Sequence, residues 1–303
     1  MAETWKLTAH APKSRVEKAL LAHDEIEEWN PELVIAGREL SPGKPLQWVL
    51  EAWLPRRPLK ADREAVLGLF KGRKPSLKAE TLPDTDWVSE SQKGVEPIRA
   101  GRFHVRSPEH DADTFPGITD FLIPASQAFG TGQHTTTAAC LRLLDEMKRR
   151  GLAPRNIADI GTGTGLLAFA ALDLWPGALM TASDIDPVCA EVVEENAALN
   201  GVRMGAGHGA VTMVIAGGVD NLLLQTRAPY DLLIANILAG PLIELASDFA
   251  GTVSAGGSVL LAGLLDTQET EVRRACFRAG FRLAARLQVN EWPVLWLRRR
   301  AAR

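Results

Sequence analysis

A glycine-rich turn in the middle of the chain constrains its fold more than any other feature. The segment Ala158-Asp-Ile-Gly-Thr-Gly-Thr-Gly leads an apolar strand into three glycines spaced two residues apart, and a helical pattern begins directly after them. Glycine adopts backbone conformations that are costly for other residues and lets a ligand approach the main chain closely. A strand, a glycine turn and a helix in this order predict an α/β domain that binds a nucleoside-type cofactor.

An acidic residue follows this turn at the distance such a site requires. Asp184 lies 19 positions after Gly165, where the next strand is predicted to end, so its carboxylate is expected to accept both hydroxyls of a ribose. The spacing Gly-x-Gly-x-Gly differs from the dinucleotide fingerprint Gly-x-Gly-x-x-Gly, which places a pyrophosphate on the helix end. We therefore expect S-adenosyl-L-methionine, whose nucleoside carries no phosphate, to be bound by Gly161, Gly163, Gly165 and Asp184.

From residue 119 onward, apolar strands alternate with helices, which is typical of a parallel sheet covered on both faces. Parallel strands are predicted at 156–160, 179–183, 211–215, 231–235 and 258–262. Two further strands, 282–289 and 294–297, are joined by a connection short enough to require a hairpin. One antiparallel strand is therefore expected at the sheet edge.

The first 85 residues are predicted to form a separate small domain. Their elements follow the order β-α-β-β-α-β, which is typical of a ferredoxin-like sandwich. Residues 86–118 are polar, contain several prolines and one short apolar strand, and are interpreted as a linker. Residues 119–303 are predicted to form the cofactor-binding domain.

Composition excludes several other classes of protein. The formal net charge is −3, so no global basic field indicates a nucleic acid or a membrane as the partner. Three widely spaced cysteines exclude a disulfide framework, and no pattern of His, Cys and carboxylate predicts a metal site. With no secretory signal and no spanning segment in the sequence, we expect a cytoplasmic protein. The basic stretch 56–60 and the tail from Arg298 are interpreted as solvated, with RNA contact as the alternative.

Two further clusters are candidates for the site. Asn236 ends the fourth strand of the parallel series, so its side chain is expected to project into the cofactor crevice. The alternative is that Asn236 caps the following helix. Upstream, Phe129-Gly-Thr-Gly-Gln-His-Thr-Thr-Thr combines glycines, an aromatic residue and hydroxyl residues ahead of a helix, which suits a flap that closes over a ligand. The alternative there is a capped helix preceded by a flexible turn.

Four segments together resemble the PrmA family, whose members methylate the large-subunit ribosomal protein eleven. They are Ala128-Phe-Gly-Thr-Gly-Gln-His-Thr-Thr-Thr, Asp159-Ile-Gly-Thr-Gly-Thr-Gly, Asp184-Ile-Asp-Pro and Ala235-Asn-Ile-Leu-Ala-Gly-Pro-Leu. The resemblance implies a class I (Rossmann-like) seven-stranded methyltransferase domain preceded by a small substrate-recognition domain of ferredoxin-like α+β type. It also implies methyl transfer from S-adenosyl-L-methionine to the N-terminal α-amine and lysine side chains of that protein, free or ribosome-bound.

The resemblance also implies roles for individual residues. It implies cofactor contacts by Thr137, Gly161, Asp184 and Asn236. It places Phe129, Thr131 and His134 in the loop over the active site, where with Asn236 they form the candidate catalytic set. The chain departs from the family where His134 precedes Thr instead of the frequent Pro, and where Ile123-Pro-Ala-Ser-Gln replaces an Asp-Pro-Gly lead-in. Both departures bear on the loop conformation and on which amines are accepted.

Three other functions remain as alternatives at this point. The nearest is methylation of lysines in another protein, such as an electron-transfer flavoprotein subunit. The second, from a different class, is a nucleotide-binding dehydrogenase, which the glycine spacing disfavours. The third is a noncatalytic module that retains the cofactor.

Overall fold

The computed structural model describes residues 4–24, 29–30, 32–40, 47–81, 97–124 and 135–301. The chain divides into two compact units, residues 1–87 and residues 88–303. None of the helices in the described ranges is long and apolar enough to cross a membrane. The assignment of a substrate-recognition function to residues 1–85 stays a prediction.

The smaller unit is an antiparallel sheet with two helices. Its elements are β1 (Trp5–Pro12), α1 (Lys13–Asp24), β2 (Val34–Glu39), β3 (Gln47–Leu54), α2 (Lys60–Gly68) and β4 (Leu77–Thr81). The strand order is β2-β3-β1-β4, and every neighbouring pair is antiparallel. This arrangement confirms the predicted ferredoxin-like sandwich. Its core is formed by alternating residues of β1 and β3 together with the inner faces of the helices, among them Leu7, Leu50, Val16 and Val66.

The larger unit contains two sheets and seven helices within the described residues. Its elements are β5 (Ile98–Ala100), β6 (Phe103–Arg106), β7 (Thr119–Leu122), α3 (Thr135–Arg149), β8 (Asn156–Ile160), α4 (Leu166–Leu174), β9 (Leu179–Asp184), α5 (Val188–Leu199), β10 (Val211–Ile215), α6 (Leu222–Arg227), β11 (Tyr230–Asn236), α7 (Ala239–Glu244), α8 (Ala246–Thr252), β12 (Val253–Ala262), α9 (Asp266–Arg278), β13 (Phe281–Val289) and β14 (Trp292–Arg299).

The central sheet has seven strands in the order β10-β9-β8-β11-β12-β14-β13. The first five are parallel and confirm the predicted strands, and β14 runs antiparallel to both of its neighbours. The predicted place of the antiparallel strand was wrong. After β12 the chain passes through α9 to the sheet edge, where it forms β13. The hairpin then places β14 between β12 and β13. Accordingly, most of β14 is buried, whereas β13 alternates between more and less exposed residues.

Side chains of the central strands are buried on both faces of this sheet, as a covered parallel sheet requires. In β11, Leu232 and Ile234 belong to one hydrophobic cluster, whereas Leu233 and Ala235 belong to another. All four are fully buried. Because successive side chains of a strand point to opposite faces, the two clusters are the cores on either side of the sheet. The seven-stranded Rossmann-like domain is therefore confirmed.

The stretch interpreted as a linker, residues 86–118, contains more structure than the sequence predicts. It includes β5 as well as the predicted β6, and both join β7 in a three-stranded sheet. Phe103 and Phe121 stack with their ring centroids 5.9 Å apart and belong to the same hydrophobic cluster as Leu144 of α3. These apolar contacts stabilise the short strands, whose length alone gives a weak sequence pattern.

Among the contacts between this small sheet and the central domain are two hydrogen bonds made by the side chain of Asn200. Asn200, at the end of α5, accepts a hydrogen bond from the backbone N–H of Leu122 at 2.7 Å and donates one to the carbonyl of Leu122 at 2.8 Å. The side-chain amide of Asn200 thus bonds both backbone groups of Leu122, as the main chain of a neighbouring strand would. It fixes the end of β7, directly before the segment that leads into the candidate flap.

We expect Asn200→Ala to lower the free energy of unfolding by about 1–3 kcal/mol, because the hydrogen-bonding groups of Leu122 lose their partner. Urea unfolding measures the change. Asn200→Asp keeps an acceptor for the N–H but places a carboxylate against the carbonyl, so it should also destabilise. The control is Leu199→Ala at the adjacent, 51% exposed position, which should change stability little. Equal effects at positions 199 and 200 would contradict the prediction.

Candidate active site

The candidate site is a crevice beyond the carboxyl ends of the parallel strands. Strand order reverses between β8 and β11, and ligands of open α/β sheets bind at such a switch point. A cavity of about 720 Å³ lies there. Among the residues that line it are Thr136, Ile160, Gly161, Gly163, Asp184, Asp186, Cys189, Asn236, Ile237, Gly263 and Trp292.

The glycine turn forms one wall of this cavity. The backbone N–H groups of Gly161 and Thr162 both donate to the carbonyl of Ser183, at 2.8 and 2.9 Å, which ties the turn to the end of β9. Gly161 has φ +72°, and a Cβ at this position would lie 2.2 Å from Cγ2 of Ile237. Only glycine fits there. Gly163 also lines the cavity, whereas Gly165 is the N-cap residue of α4 and does not.

The carboxylate of Asp184 is held at the end of β9 by two backbone donors. Its Oδ2 accepts from the N–H of Gly163 at 2.8 Å, and its Oδ1 accepts from the N–H of Asp186 at 3.1 Å. An ionised carboxylate has about four lone-pair sites, so one on each oxygen is left for a ligand. Two adjacent acceptors suit the two hydroxyls of a ribose.

Asn236 lines the cavity from the end of β11, and its role toward a cofactor stays a prediction. Its Nδ2 donates to Oγ1 of the buried Thr137 at 3.3 Å, while its Oδ1 is buried and has no hydrogen-bond partner among the described residues. The N-cap residue of the following helix is Leu238, and no side chain caps it. The capping alternative was therefore wrong. Thr137 does not line the cavity itself and contacts the site through Asn236.

Asp159 is a buried acid within the glycine-rich motif, and the sequence predicts no role for it. Its side chain is 1% exposed, and its Oδ2 accepts a hydrogen bond from Oγ1 of Thr162 at 2.7 Å. Burial, and to a lesser extent the negative charge of Asp184, raise the pKa of Asp159 to about 7. A sequence does not show which strand-end carboxylate will be enclosed by neighbouring strands.

Several other residues that line the cavity were not predicted from the sequence, and some of them lie at strand ends. Residues 216–218 follow β10, Gly263 follows β12, and Trp292 lies where β14 begins. For residues 216–218 and Gly263 the available signal was their position directly beyond a strand, whereas Trp292 is the first residue of its strand and carries no such signal. Phe129, Thr131 and His134, predicted to lie over the active site, are outside the described residues. Within those residues no group of three His, Cys, Asp or Glu side chains could hold a metal ion.

Comparison with known proteins gives consistent matches. The family model described as "Ribosomal protein L11 methyltransferase (PrmA)" matches residues 57–300. A ribosomal protein L11 methyltransferase of Rhizobium meliloti (strain 1021) is 41% identical over 224 residues, 74% of each chain. One from Agrobacterium fabrum is 37% identical over 255 residues, covering 83% of this chain and 85% of the relative. A crystal structure of ribosomal protein L11 methylase from Lactobacillus delbrueckii subsp. bulgaricus matches with TM-score 0.57 and 26% identity, over 68% of this chain and 99% of that chain.

The buried carboxyl group of Asp159 predicts a specific pH dependence of stability. In the folded chain it keeps its proton up to about pH 7, whereas in the unfolded chain it ionises near the ordinary value of 3.8. Unfolding therefore releases a proton in this window, and stability falls by up to about 1.4 kcal/mol per pH unit as the pH rises through it. Above the folded pKa the contribution stays constant.

We expect Asp159→Asn to remove this dependence, so that the variant gains stability relative to the parent chain as the pH rises from about 4 to about 7. Urea unfolding over this range measures the difference. Thr162→Val removes a hydrogen bond that lowers the pKa of Asp159 and should move the transition to higher pH. A difference between Asp159→Asn and the parent that does not vary with pH would refute the assignment.

Proposed function

Because the chain belongs to the ribosomal protein L11 methyltransferase (PrmA) family, we propose that it methylates amino groups of ribosomal protein L11 with S-adenosyl-L-methionine as the methyl donor. The observation that carries the proposal is the crevice at the switch point, where Asp184 and Asn236 line one cavity and the amide oxygen of Asn236 is buried without a hydrogen-bond partner among the described residues. The proposed acceptors are the N-terminal α-amine and lysine side chains, of free or ribosome-bound protein.

The charges of the crevice support a cationic donor. Two aspartates, Asp184 and Asp186, line the cavity, and no lysine or arginine does so among the described residues. A third carboxyl group, that of Asp159, lies buried beside them. A pyrophosphate would be repelled by the two aspartates that line the cavity, whereas a sulfonium would be attracted. The crevice thus favours S-adenosyl-L-methionine over the dinucleotide of the dehydrogenase alternative.

The residues present fit such a cofactor. Asp184 would hold the ribose hydroxyls, because its two remaining acceptor sites are adjacent. Gly161 and Gly163 would let the nucleoside lie against the backbone, since they bring no side chain into the cavity. When bound, the cofactor supplies a methyl group activated by its attachment to a positive sulfur.

Asn236 is proposed to position the acceptor amine. Its Oδ1 can accept a hydrogen bond from the N–H of an uncharged amine and so direct the nitrogen lone pair, and Thr137 fixes the orientation of the amide by accepting from its Nδ2. An amide oxygen is not basic enough to remove the amine proton. Catalysis by this chain would therefore consist mainly of positioning, which contributes several kcal/mol. No dedicated base is assigned.

The remaining site residues are proposed on the family motifs. Phe129, Thr131 and His134 would form the loop over the acceptor amine, and Gly165 would contribute to the cofactor turn through the start of α4. The family match covers both units in part, from residue 57 to residue 300, which favours ribosomal protein L11 over an electron-transfer flavoprotein subunit as substrate. Cavity and motifs together favour an enzyme over a noncatalytic module.

We expect Asp184→Asn to weaken binding of S-adenosylhomocysteine roughly 10- to 100-fold, because charge-assisted hydrogen bonds to the ribose contribute about 1.5–3 kcal/mol. Titration calorimetry measures the affinity. The matched control is Asp186→Asn. Asp186 also borders the cavity, and its carboxylate accepts a hydrogen bond from the N–H of Val188. This substitution should change affinity less than threefold, since Asp186 contacts no ribose in this assignment. Equal losses at both positions would refute the role of Asp184.

Asn236→Ala should lower the rate of methyl transfer by about 100-fold or more, because loss of positioning by about 1 Å has an effect of this size. The measurement is transfer of labelled methyl groups to purified ribosomal protein L11 at saturating cofactor. An unchanged transfer rate, with unchanged cofactor affinity, would exclude a positioning role.

The substrate assignment is tested in cells. Mass spectrometry of ribosomal proteins before and after deletion of the gene should show that ribosomal protein L11 loses methyl mass in the deletion strain. Re-expression of the parent chain should restore the mass, whereas re-expression of Asp184→Asn should restore little of it. A loss of methyl mass on a different protein would support the alternative substrates instead.

A further inference from the structure

Positive charge is concentrated at the carboxyl end of the chain. Residues 272–303 contain nine arginines and one acidic residue, Glu291, a formal charge of +8. Since the whole chain carries −3, the remainder carries −11. An asymmetry of this size within one chain is a physical indication of an anionic partner.

The fold leaves much of this charge unpaired around one end of the central sheet. Six arginines on α9, β13 and β14 and directly after them are exposed or half-exposed, and none forms an ion pair with a described residue. We call them the arginine surface: Arg274, Arg278, Arg282, Arg298, Arg299 and Arg300. In contrast, Arg273 and Arg286 both pair with the carboxylate of Glu269.

The strand register brings like charges together on this surface. Arg282 of β13 lies directly opposite Arg298 of β14, an arrangement that destabilises an antiparallel pair. Desolvation, and then the charge of Arg300, lower the pKa of Arg282. The guanidinium of Arg282 donates to the carbonyls of Phe277 and Phe281, and Arg298 donates to the carbonyl of Gly256, so backbone acceptors orient the charges without neutralising them. Bound anionic groups would neutralise them.

An exposed aromatic residue lies within the arginine surface. Phe277 is 57% exposed, and the guanidinium of Arg282 lies 3.6 Å from its ring centroid. A cavity of about 270 Å³ is bordered by these two residues and by Arg274, Leu283 and Leu297. Aromatic rings and guanidinium planes are the groups on which unpaired nucleobases stack.

We propose that the arginine surface is a binding site for single-stranded RNA, with phosphates held by the arginines and a base stacked on Phe277 or Arg282. The carboxylates of an acidic protein would pair with the arginines but would not stack on the exposed ring of Phe277. Single-stranded RNA supplies both phosphates for the arginines and bases for the ring.

The site is separate from the cofactor crevice. Strand β14 runs from Trp292, which lines the crevice, to Arg299, so the two sites lie at opposite ends of an eight-residue strand, roughly 25 Å apart. RNA binding would therefore leave the crevice open. Under the proposed function, the surface would anchor the enzyme to RNA around a ribosome-bound substrate, while RNA binding itself does not depend on that function.

The test uses the full chain and a fluorescein-labelled single-stranded RNA of about 20 nucleotides, with binding followed by fluorescence anisotropy at several salt concentrations. We compare the parent with the triple variant Arg274→Gln, Arg278→Gln and Arg300→Gln. The matched control, Arg73→Gln, Arg142→Gln and Arg155→Gln, removes the same charge from exposed arginines elsewhere. The first variant should lose about tenfold or more in affinity, and the slope of log K against log salt should shrink by about 2, whereas the control should change little.

Phe277→Leu separates stacking from charge. It should weaken RNA binding about fivefold or more, because stacking on an aromatic ring is lost, and leave binding of inorganic polyphosphate unchanged. Equal losses in the two triple variants, or no binding of RNA by the parent, would overturn the proposal. Competition by polyglutamate as effective as that by RNA would overturn it in favour of an acidic protein. Methyl transfer to free ribosomal protein L11 should be the same in all these variants, which distinguishes this proposal from the proposed function.

Discussion

The close approach of three chain segments at the carboxyl edge of the sheet is the constraint on which the site depends. As β11 ends, Ile237 passes between the ends of β8 and β12, and a Cβ on Gly161 or Gly263 would lie 2.2 Å from its Cγ2 or 2.3 Å from its carbonyl oxygen. Glycine on both sides lets the three strand ends pack this tightly. Asn236 directly precedes Ile237 in the chain, so this packing places it beside the glycine turn. Asn236, the turn and Asp184 therefore line the same cavity. The positions of the candidate groups thus follow from backbone packing.

The sequence predicted those parts of the structure that depend on local pattern. The five parallel strands, the turn at Gly161 and the cavity position of Asp184 follow from apolar runs, glycine spacing and the rule that ligands lie beyond strand ends. What depends on neighbours distant in sequence was not predicted. The place of β14 inside the sheet, the burial of Asp159 and the bond between Asn236 and Thr137 all require knowledge of which strands and helices become adjacent.

The carboxyl groups of the crevice differ in what supports them, and this difference gives them different uses. Asp184 accepts two backbone N–H bonds at a half-buried position, so it can hold a charge and still bind a ligand. Asp159 is enclosed, and burial raises its pKa to about 7, so near neutral pH its charge responds to whatever lies beside it. A cation in the crevice would favour its ionised form. Burial of this acid lowers the stability of the free protein near neutral pH, and binding of a cation would restore part of that stability.

The two ends of the central sheet carry opposite electrostatic character for structural reasons. Strand-end turns at the carboxyl edge bring the aspartates together, whereas the arginine surface arises because residues 272–303, from the second half of α9 onward, contain nine arginines and one acidic residue. Strand β14 connects these ends through a buried apolar segment, Val294 to Leu297. Since the two ends lie roughly 25 Å apart, well beyond the Debye length of about 8 Å at physiological ionic strength, each end can bind a ligand of opposite charge with little electrostatic interference from the other. An acidic crevice for a cationic donor and a basic surface for an anionic polymer are therefore compatible within one domain.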